Sequence, residues 1–425
     1  MVNEDAIVGK ITRRLLPLLV TGYIIAFIDR SNIAFAKLQM VKDLGISEAA
    51  YGLGASLFFI GYLLCELPSN MALVKFGPRR WFCRIMVSWG AVTVLFAAVH
   101  TTWSFYMLRF LLGAAEAGYF PGVLYVLTLW YPQRHRARTV AWFVIGSIIA
   151  NIIGAPMAGV LLDLQGSLGL AGWQWMFVVM GLPAVLLGIA LLWMLPDAPD
   201  HVDFLSAEER DWLQSTLAAE RAAMPQAPFH NPWRRLLDPR VLMLSAYFVL
   251  FTLAGYGFSY WLPTLIKGFG VSNTVNGLLN MVLWIIVGGL LWWVPRKPGR
   301  GDNPIRVIMI PSMLGGLCFV LCWAVPNDVL KFVFLCAGAC CVVVGQPCFW
   351  TLPSRFLSGP EAALGIAAIN SLGNLGGFFG QSIVPAIRDA TSSDIAPMLF
   401  LAGVLVLRSL VTLIPVRMLS IRESG

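Results

Sequence analysis

Twelve stretches of almost unbroken apolar residues, separated by short polar turns, dominate the chain: 15–38, 52–74, 81–99, 103–131, 139–162, 174–195, 241–266, 275–295, 305–325, 329–352, 362–387 and 396–416. A helix needs about 20 apolar residues to cross a bilayer, and these stretches are of that order. Helices satisfy every backbone N–H and C=O within the segment, as hydrocarbon requires. The pattern predicts an all-α polytopic membrane protein with twelve transmembrane helices. One polar segment interrupts it. The run 196–240 carries Asp197, Asp200, Asp203, Glu208, Glu209, Asp211 and Glu220, and then Pro225, Pro228 and Pro232. Ser206 with Glu209 three residues on reads as a helix start, opening a short amphipathic helix to about Ala222. The expected organisation is a six-helix bundle over 1–195, a cytoplasmic linker over 196–240 and a second six-helix bundle over 241–425.

Composition agrees with that reading. The 425 residues are 58% hydrophobic and 12% charged. Soluble domains carry about 25% charged residues, so lipid is the main solvent here. The net charge of +8 is not a nucleic-acid footprint. With both termini in the cytoplasm, 22 of the 30 Lys and Arg fall on the cytoplasmic side and only Lys37, Lys42, Lys267, Lys331 and Arg388 on the other. That asymmetry is the positive-inside bias, so no nucleic-acid partner is expected. The eight cysteines lie almost entirely in apolar segments and the four histidines are scattered, so no metal site is expected. Lys10, Arg13 and Arg14 precede the first apolar run, and Ala34-Phe35-Ala36 resembles a cleavage site. The run is too long for a signal-peptide core, so it reads as a first span. A multi-pass protein of a bacterial-type inner membrane, working as a monomer, is the expectation.

Charges within the apolar segments are the candidate chemistry. Away from the segment ends, Asp29, Arg30, Glu66, Arg109 and Glu116 lie in the first six, and Arg408 alone in the last six. Intramembrane charges cost several kcal/mol and mark functional sites by default. At about 1.5 Å per residue, Asp29 sits roughly 13 Å below the boundary near Leu38, and Arg109 roughly 9 Å below the same boundary. Those depths predict an Asp29–Arg109 pair. Arg109 and Glu116 are two helical turns apart on one face, and Glu116 is set among Gly113, Ala114, Ala115, Ala117 and Gly118. A carboxylate so placed is a candidate proton carrier. Adjacent helical residues diverge by about 100°, which would leave Arg30 to grip an anionic solute bidentately. Tyr256, Tyr260 and Trp261, Gln346, and Asn370, Ser371 and Asn374 offer the second half's side of a binding pocket. Static ion pairing between helices is the competing reading of the charges; Glu66 leans towards it, and Arg408 stays open between snorkelling and lining a cavity.

The two halves echo each other. Glycines cluster in the fifth segment (Gly146, Gly154, Gly159) and the eleventh (Gly365, Gly373, Gly376, Gly377, Gly380). Internal repeats around a midplane site are a transporter signature.

Several motifs together resemble the anion:cation symporter family of the major facilitator superfamily. They are Phe27-Ile-Asp29-Arg30-Ser-Asn32, the run Arg109 to Gly122 with Glu116 and Pro121, and Gly172-Trp-Gln-Trp-Met-Phe177. Leu195-Pro-Asp-Ala-Pro199, Trp261-Leu-Pro263 and Ile369-Asn370-Ser371-Leu-Gly373-Asn374 also fit, and Glu66-Leu-Pro68-Ser69-Asn70 is similar to the tartrate, phthalate and hydroxyphenylacetate permease branch. The resemblance implies alternating access and proton-driven import of a small organic carboxylate, with no cofactor beyond the proton. It implies anion binding by Arg30, with Tyr62 as a further ligand, and proton coupling by Asp29, Arg109 and Glu116. The loop after the second segment has Asn70 and Val74 where the superfamily usually has Gly and Asp, while Lys75, Gly77, Arg79 and Arg80 remain. A transporter of a neutral solute such as a sugar, or a drug efflux protein, is the alternative. An enzyme would need a nucleophile–base or metal constellation, which the sequence does not offer.

Overall fold

A computed structural model describes residues 3–223, 238–293, 305–350, 352–353 and 360–413. Among the described residues ten helices, or runs of helix, are long and apolar enough to cross a membrane. In chain order the helices are α1 (Glu4–Leu44), α2 (Glu48–Phe76), α3 (Pro78–Leu95), α4 (Thr102–Glu116), α5 (Tyr119–Trp130), α6 (Gln133–Leu162), α7 (Gly172–Met194), α8 (Ala207–Ala223), α9 (Pro239–Lys267) and α10 (Asn273–Trp293). They continue as α11 (Ile310–Ala324), α12 (Asp328–Val343), α13 (Gln346–Phe349), α14 (Pro360–Gly373), α15 (Leu375–Thr391) and α16 (Ala396–Val411). The fourth predicted stretch, 103–131, is two helices, α4 and α5, that make one span together. The eleventh, 362–387, divides into α14 and α15 at Asn374. Of the twelfth, α16 is sixteen residues, shorter than a span, and the stretch past 413 lies outside the described residues. The Pro-rich part of the linker and the basic cluster Arg296, Lys297 and Arg300 with Asp302 also lie outside them.

The chain forms two compact units. One comprises Met1–Asn32, Gly61–Gly154 and Leu164–Gln226; the other comprises Ile33–Ile60, Ala155–Asp163 and Ala227–Gly425.

In the first unit, α3 and α7 pack backbone to backbone. A Cβ on Gly90 would lie 2.8 Å from Gly181 O, and one on Gly181 would lie 3.0 Å from Gly90 O. Small residues let spanning helices approach this closely, which gives them dispersion contact that lipid chains cannot supply. Polar contacts collect at the helix ends. Asp197 Oδ1 accepts from Arg79 N at 2.8 Å, closing the first turn of α3 just after Gly77 (φ 82°). The helix α8 opens with a capping box: Ser206 Oγ accepts from Glu209 N at 3.2 Å, and Glu209 Oε2 accepts from Ser206 N at 2.9 Å. Glu209 also accepts from Lys10 Nζ at 2.7 Å, and Glu220 Oε2 from Arg136 Nη2 at 2.9 Å. The Lys10 bond, then the Ser206 backbone, hold the Glu209 carboxyl below its usual range. These bonds tie α8 to α1 and to the start of α6.

In the second unit, two carboxylates cap helices that are distant in sequence. Asp163, just after α6, accepts from Thr274 N at 2.9 Å, Thr274 Oγ1 at 2.6 Å and Asn273 Nδ2 at 2.8 Å, in the first turn of α10. Asp389, near the end of α15, accepts from Ala49 N at 2.7 Å in the first turn of α2. Asp163 and Asp389 are 226 residues apart, and Ala49 and Thr274 are 225 apart. Glycines follow the same repeat. A Cβ on Gly52 would strike Gln381 O, and one on Gly277 would strike Ala155 O. The two halves therefore use one device twice: a carboxylate on a helix N-terminus, where orphan N–H groups and the helix dipole favour negative charge, one turn from a glycine that admits the neighbouring backbone.

Large apolar side chains are turned outwards along the spans: Leu64, Met71, Trp103, Leu186 and Trp193 are 61–75% exposed. In a soluble protein such surface would be a liability; against lipid it is the expected face.

Candidate functional site

The charged cluster of the first unit forms where a helix stops. The span 102–130 breaks at Ala117 and Gly118, with Gly118 left-handed at φ 91°. Only glycine takes that conformation without strain, and a Cβ there would strike the Ser69 side chain. The break ends α4 at Glu116, which is fully buried, and restarts the chain as α5. Discontinuous helices with backbone groups freed at membrane depth are a recurring way to build a transport site.

Arg30 reaches Glu116 from α1. Its Nε donates to Glu116 Oε1 at 2.7 Å and its Nη2 lies 2.5 Å from the same oxygen. The guanidinium carbon stands 5.1 Å from the centroid of the Tyr62 ring and 5.4 Å from that of Phe27. A cation held against aromatic faces keeps favourable electrostatics where water is scarce. Arg30 is therefore engaged by a carboxylate in this conformation, where the depth argument left it open for a solute. The reason is the break: it puts Glu116 at the end of α4, within reach of α1.

Asp29 turns to α3. Its Oδ2 accepts from Thr93 Oγ1 at 2.7 Å, and both residues are buried. Arg109, Arg30 and Glu116 are all near enough to act on Asp29 electrostatically, so the four charges form one cluster. Each carboxylate keeps one buried oxygen, Asp29 Oδ1 and Glu116 Oε2, that has no hydrogen-bond partner among the described residues. Buried polar atoms are nearly always satisfied, so two such oxygens in one cluster call for an explanation. Thr93 was not singled out from sequence. Its only signal there is a hydroxyl in the apolar second half of a helix, where Ser88 offers another.

The structure brings together Asp29, Arg30, Tyr62, Arg109 and Glu116. The other predicted residues belong to the second unit. Tyr256 meets Phe59 edge-on at 4.9 Å, and the Tyr260 ring is 5.4 Å from Lys37 Nζ. Lys37, near the end of α1, is buried, bonded to Glu48 at 2.7 Å and to Thr264 Oγ1 at 3.1 Å, and lies 3.6 Å from the Trp261 ring centroid. Gln346 opens α13 and is exposed. Asn370 and Asn374 are partly exposed in α14 and at the break after it. Arg408 neither snorkels nor lines a cavity. It is fully buried, donating to Ser312 Oγ at 3.0 Å, Val342 O at 2.9 Å and Cys341 O at 3.1 Å. Among the described residues, no group of three or more His, Cys, Asp or Glu side chains could hold a metal ion.

Apolar helices of membrane-spanning length, with an ion-pair cluster set where one of them breaks, are the marks of a membrane transport protein. The model of the Major Facilitator Superfamily matches residues 19–381, and the chain belongs to that superfamily. It is 44% identical over 414 residues to a quinolone resistance transporter of Acinetobacter baumannii, covering 97% of this chain and 95% of that one. It is 41% identical over 414 residues, with the same coverage, to a putative tartrate transporter of Agrobacterium vitis. The tartrate transporter accords with the anion:cation symporter branch that the motifs resemble, and both relatives, as transporters, point away from an enzyme. Among solved structures, a bacterial homologue of the human lysosomal transporter Spinster, in an inward-facing and occupied conformation, aligns with a TM-score of 0.74 at 16% identity, over 95% of this chain and 96% of that one. At that identity the likeness is one of fold.

Proposed function

We propose that the protein imports a small organic carboxylate, a tartrate-like hydroxy acid or an aromatic acid, together with a proton. It would do so by alternating access, as a monomer in a bacterial inner membrane. Twelve spans in two six-helix bundles, joined by the linker over 196–240 and with both termini cytoplasmic, belong to the same proposal.

The observation that carries it is the ion pair of half-buried Arg30 with fully buried Glu116 at the break between α4 and α5. While Glu116 is charged, it occupies the guanidinium. A proton arriving on Glu116 Oε2, the oxygen without a hydrogen-bond partner among the described residues, removes the charge that holds Arg30. Arg30 then meets a solute carboxylate with a planar fork that matches it bidentately. The buried charge stays balanced throughout: carboxylate of the protein in one state, carboxylate of the solute in the other. Leaving the guanidinium unpaired would cost several kcal/mol, so neither proton nor solute moves cheaply without the other. Tyr62 and Phe27 line the same cation and offer an aromatic wall. Tyr256, Tyr260, Gln346, Asn370 and Asn374 are proposed to complete the pocket, and Asp29 and Arg109 to tune the cluster.

The test is uptake by the full-length protein in proteoliposomes under an imposed inward proton gradient, screened across hydroxy diacids and aromatic acids. Gradient-dependent accumulation of one of them is expected. Full uptake by Arg30→Ala would sink the anion-grip assignment. The identity to a quinolone resistance transporter favours a second reading, drug export. Under that reading, no tested acid would accumulate, and a quinolone trapped inside would leave when the gradient is applied.

A further inference from the structure

The coupling cluster contains a residue that the proposed function does not use. Thr93 sits in α3 inside an apolar stretch, fully buried. Threonine hydroxyls in helices usually back-bond to a carbonyl one turn earlier. This one spends its single hydrogen on Asp29 Oδ2, at 2.7 Å. A hydrogen bond to an ionised partner is roughly twice as strong as one between neutral groups, and more so where water is absent. Asp29 Oδ1, by contrast, is buried without a hydrogen-bond partner among the described residues. The two oxygens of one carboxylate are thus made different by a neighbour on another helix.

We propose that Thr93 is a positioning residue of the proton site: it holds Asp29 by Oδ2 so that the coupled proton binds on Oδ1. This rests on the reading of Asp29 as a coupling group. The geometry gives the direction. A proton on Oδ2 would turn the oxygen that accepts from Thr93 into a carboxyl hydroxyl, a weaker acceptor than a carbonyl oxygen, or make the threonine hydroxyl rotate to accept instead. A proton on Oδ1 requires no rearrangement. The Thr93 bond favours the charged carboxylate, so it also sets how acidic the medium must be before Asp29 loads. The charged groups that act on Asp29 are Glu116 and Arg109 on α4 and its own neighbour Arg30, and none of them lies on α3. Asp29 therefore receives two independent instructions, charge from α1 and α4 and a neutral donor from α3.

The experiment compares Thr93→Val, which keeps the shape and removes the hydroxyl, with Thr93→Ser, which keeps the hydroxyl. Thr93→Ala replaces the valine variant should that one not be recovered folded. In proteoliposomes, the pH midpoint of gradient-driven uptake is expected to move up by about one unit in Thr93→Val, a tenfold gain in proton affinity. Thr93→Ser should stay near the wild-type midpoint. A second readout is the infrared carbonyl band of protonated Asp29, assigned by its loss in Asp29→Asn. With Oδ2 as the carbonyl oxygen hydrogen-bonded by Thr93, the band should rise in wavenumber in Thr93→Val and not in Thr93→Ser. A role confined to bridging helices would lower the thermal midpoint of Thr93→Val while leaving its pH profile and band on the wild-type positions, and that result would overturn the inference. Accumulation against the gradient by Asp29→Asn would instead overturn the coupling role of Asp29 itself, whatever Thr93 does.

Discussion

The chain breaks a membrane helix at equivalent places in its two halves, and treats the two breaks in opposite ways. In the first half the break falls at Gly118 and in the second at Val344 and Gly345, with Pro121 and Pro347 at the same separation of 226 residues. Each break frees backbone carbonyls in a setting without water. At the second, the Arg408 guanidinium takes up Val342 O and Cys341 O, with its carbon 4.3 Å from the Phe251 ring centroid. At the first, half-buried Arg30 is paired with a side chain, Glu116. A backbone carbonyl cannot take a proton at any ordinary pH, whereas a carboxylate can. An arginine beside a helix break is a structural clamp or an exchangeable contact according to the partner it is given.

That contrast is open to breakage. The largest effect is expected from Arg30→Ala, which should lower uptake at least about 100-fold with the fold retained, because Glu116 can be neutralised by a proton. Arg30→Lys should recover little, since an ammonium lacks the planar fork. Initial-rate uptake with detergent-solubilised thermal melts checks both. Glu116→Gln, the next in size, should abolish accumulation against a gradient while exchange of solute across the membrane continues. Arg408→Met should act the other way round. Two backbone carbonyls and Ser312 lose a charged donor, at about 2–4 kcal/mol, so the thermal midpoint falls while the folded fraction still couples proton to solute. If Arg408→Met kept its stability and lost coupling, the distinction between the two breaks would be wrong.

The smallest effect concerns the cap at α10. Burial pushes the Asp163 carboxyl up, but the Thr274 hydroxyl, the Thr274 amide and Asn273 together hold it below the ordinary value of 3.8. A depressed carboxyl adds stability that is present above the unfolded value and is lost as pH falls through the folded one. Wild type should therefore melt slightly above Asp163→Asn at neutral pH, and the gap should close only below pH 3.8. The group is exposed, so the gap is small.

Much of the membrane architecture was legible because hydrocarbon imposes a crude code of length and apolarity. Where the code fails, a local backbone event intervenes. The stretch 103–131 reads as one helix because Ala117 and Gly118 are as apolar as their neighbours; only the left-handed turn at Gly118 reveals the break. The same event explains the site. Asp29, Arg30, Arg109 and Glu116 were visible as charges in the wrong solvent, but depth along straight helices matched Arg109 to Asp29 and did not foresee the grip of Glu116 on Arg30. Thr93 was invisible because a hydroxyl is cheap in a helix and its partner lies 64 residues away in sequence. Arg408 could not be assigned, since carbonyl acceptors leave no mark in a sequence.

The paired caps at α2 and α10 decide which substitutions those helix starts can accept. Asp389 and the amide bond of Asp163 to Thr274 both take hold of main chain, which every residue except proline supplies. Positions 49 and 274 can therefore hold any residue but proline while the contact survives, whereas the contact needs the two aspartates. The two seats differ in this way: Thr274 adds its hydroxyl to the bond with Asp163, and Ala49 has none to offer Asp389. Ala49→Thr would offer Asp389 the matching hydroxyl.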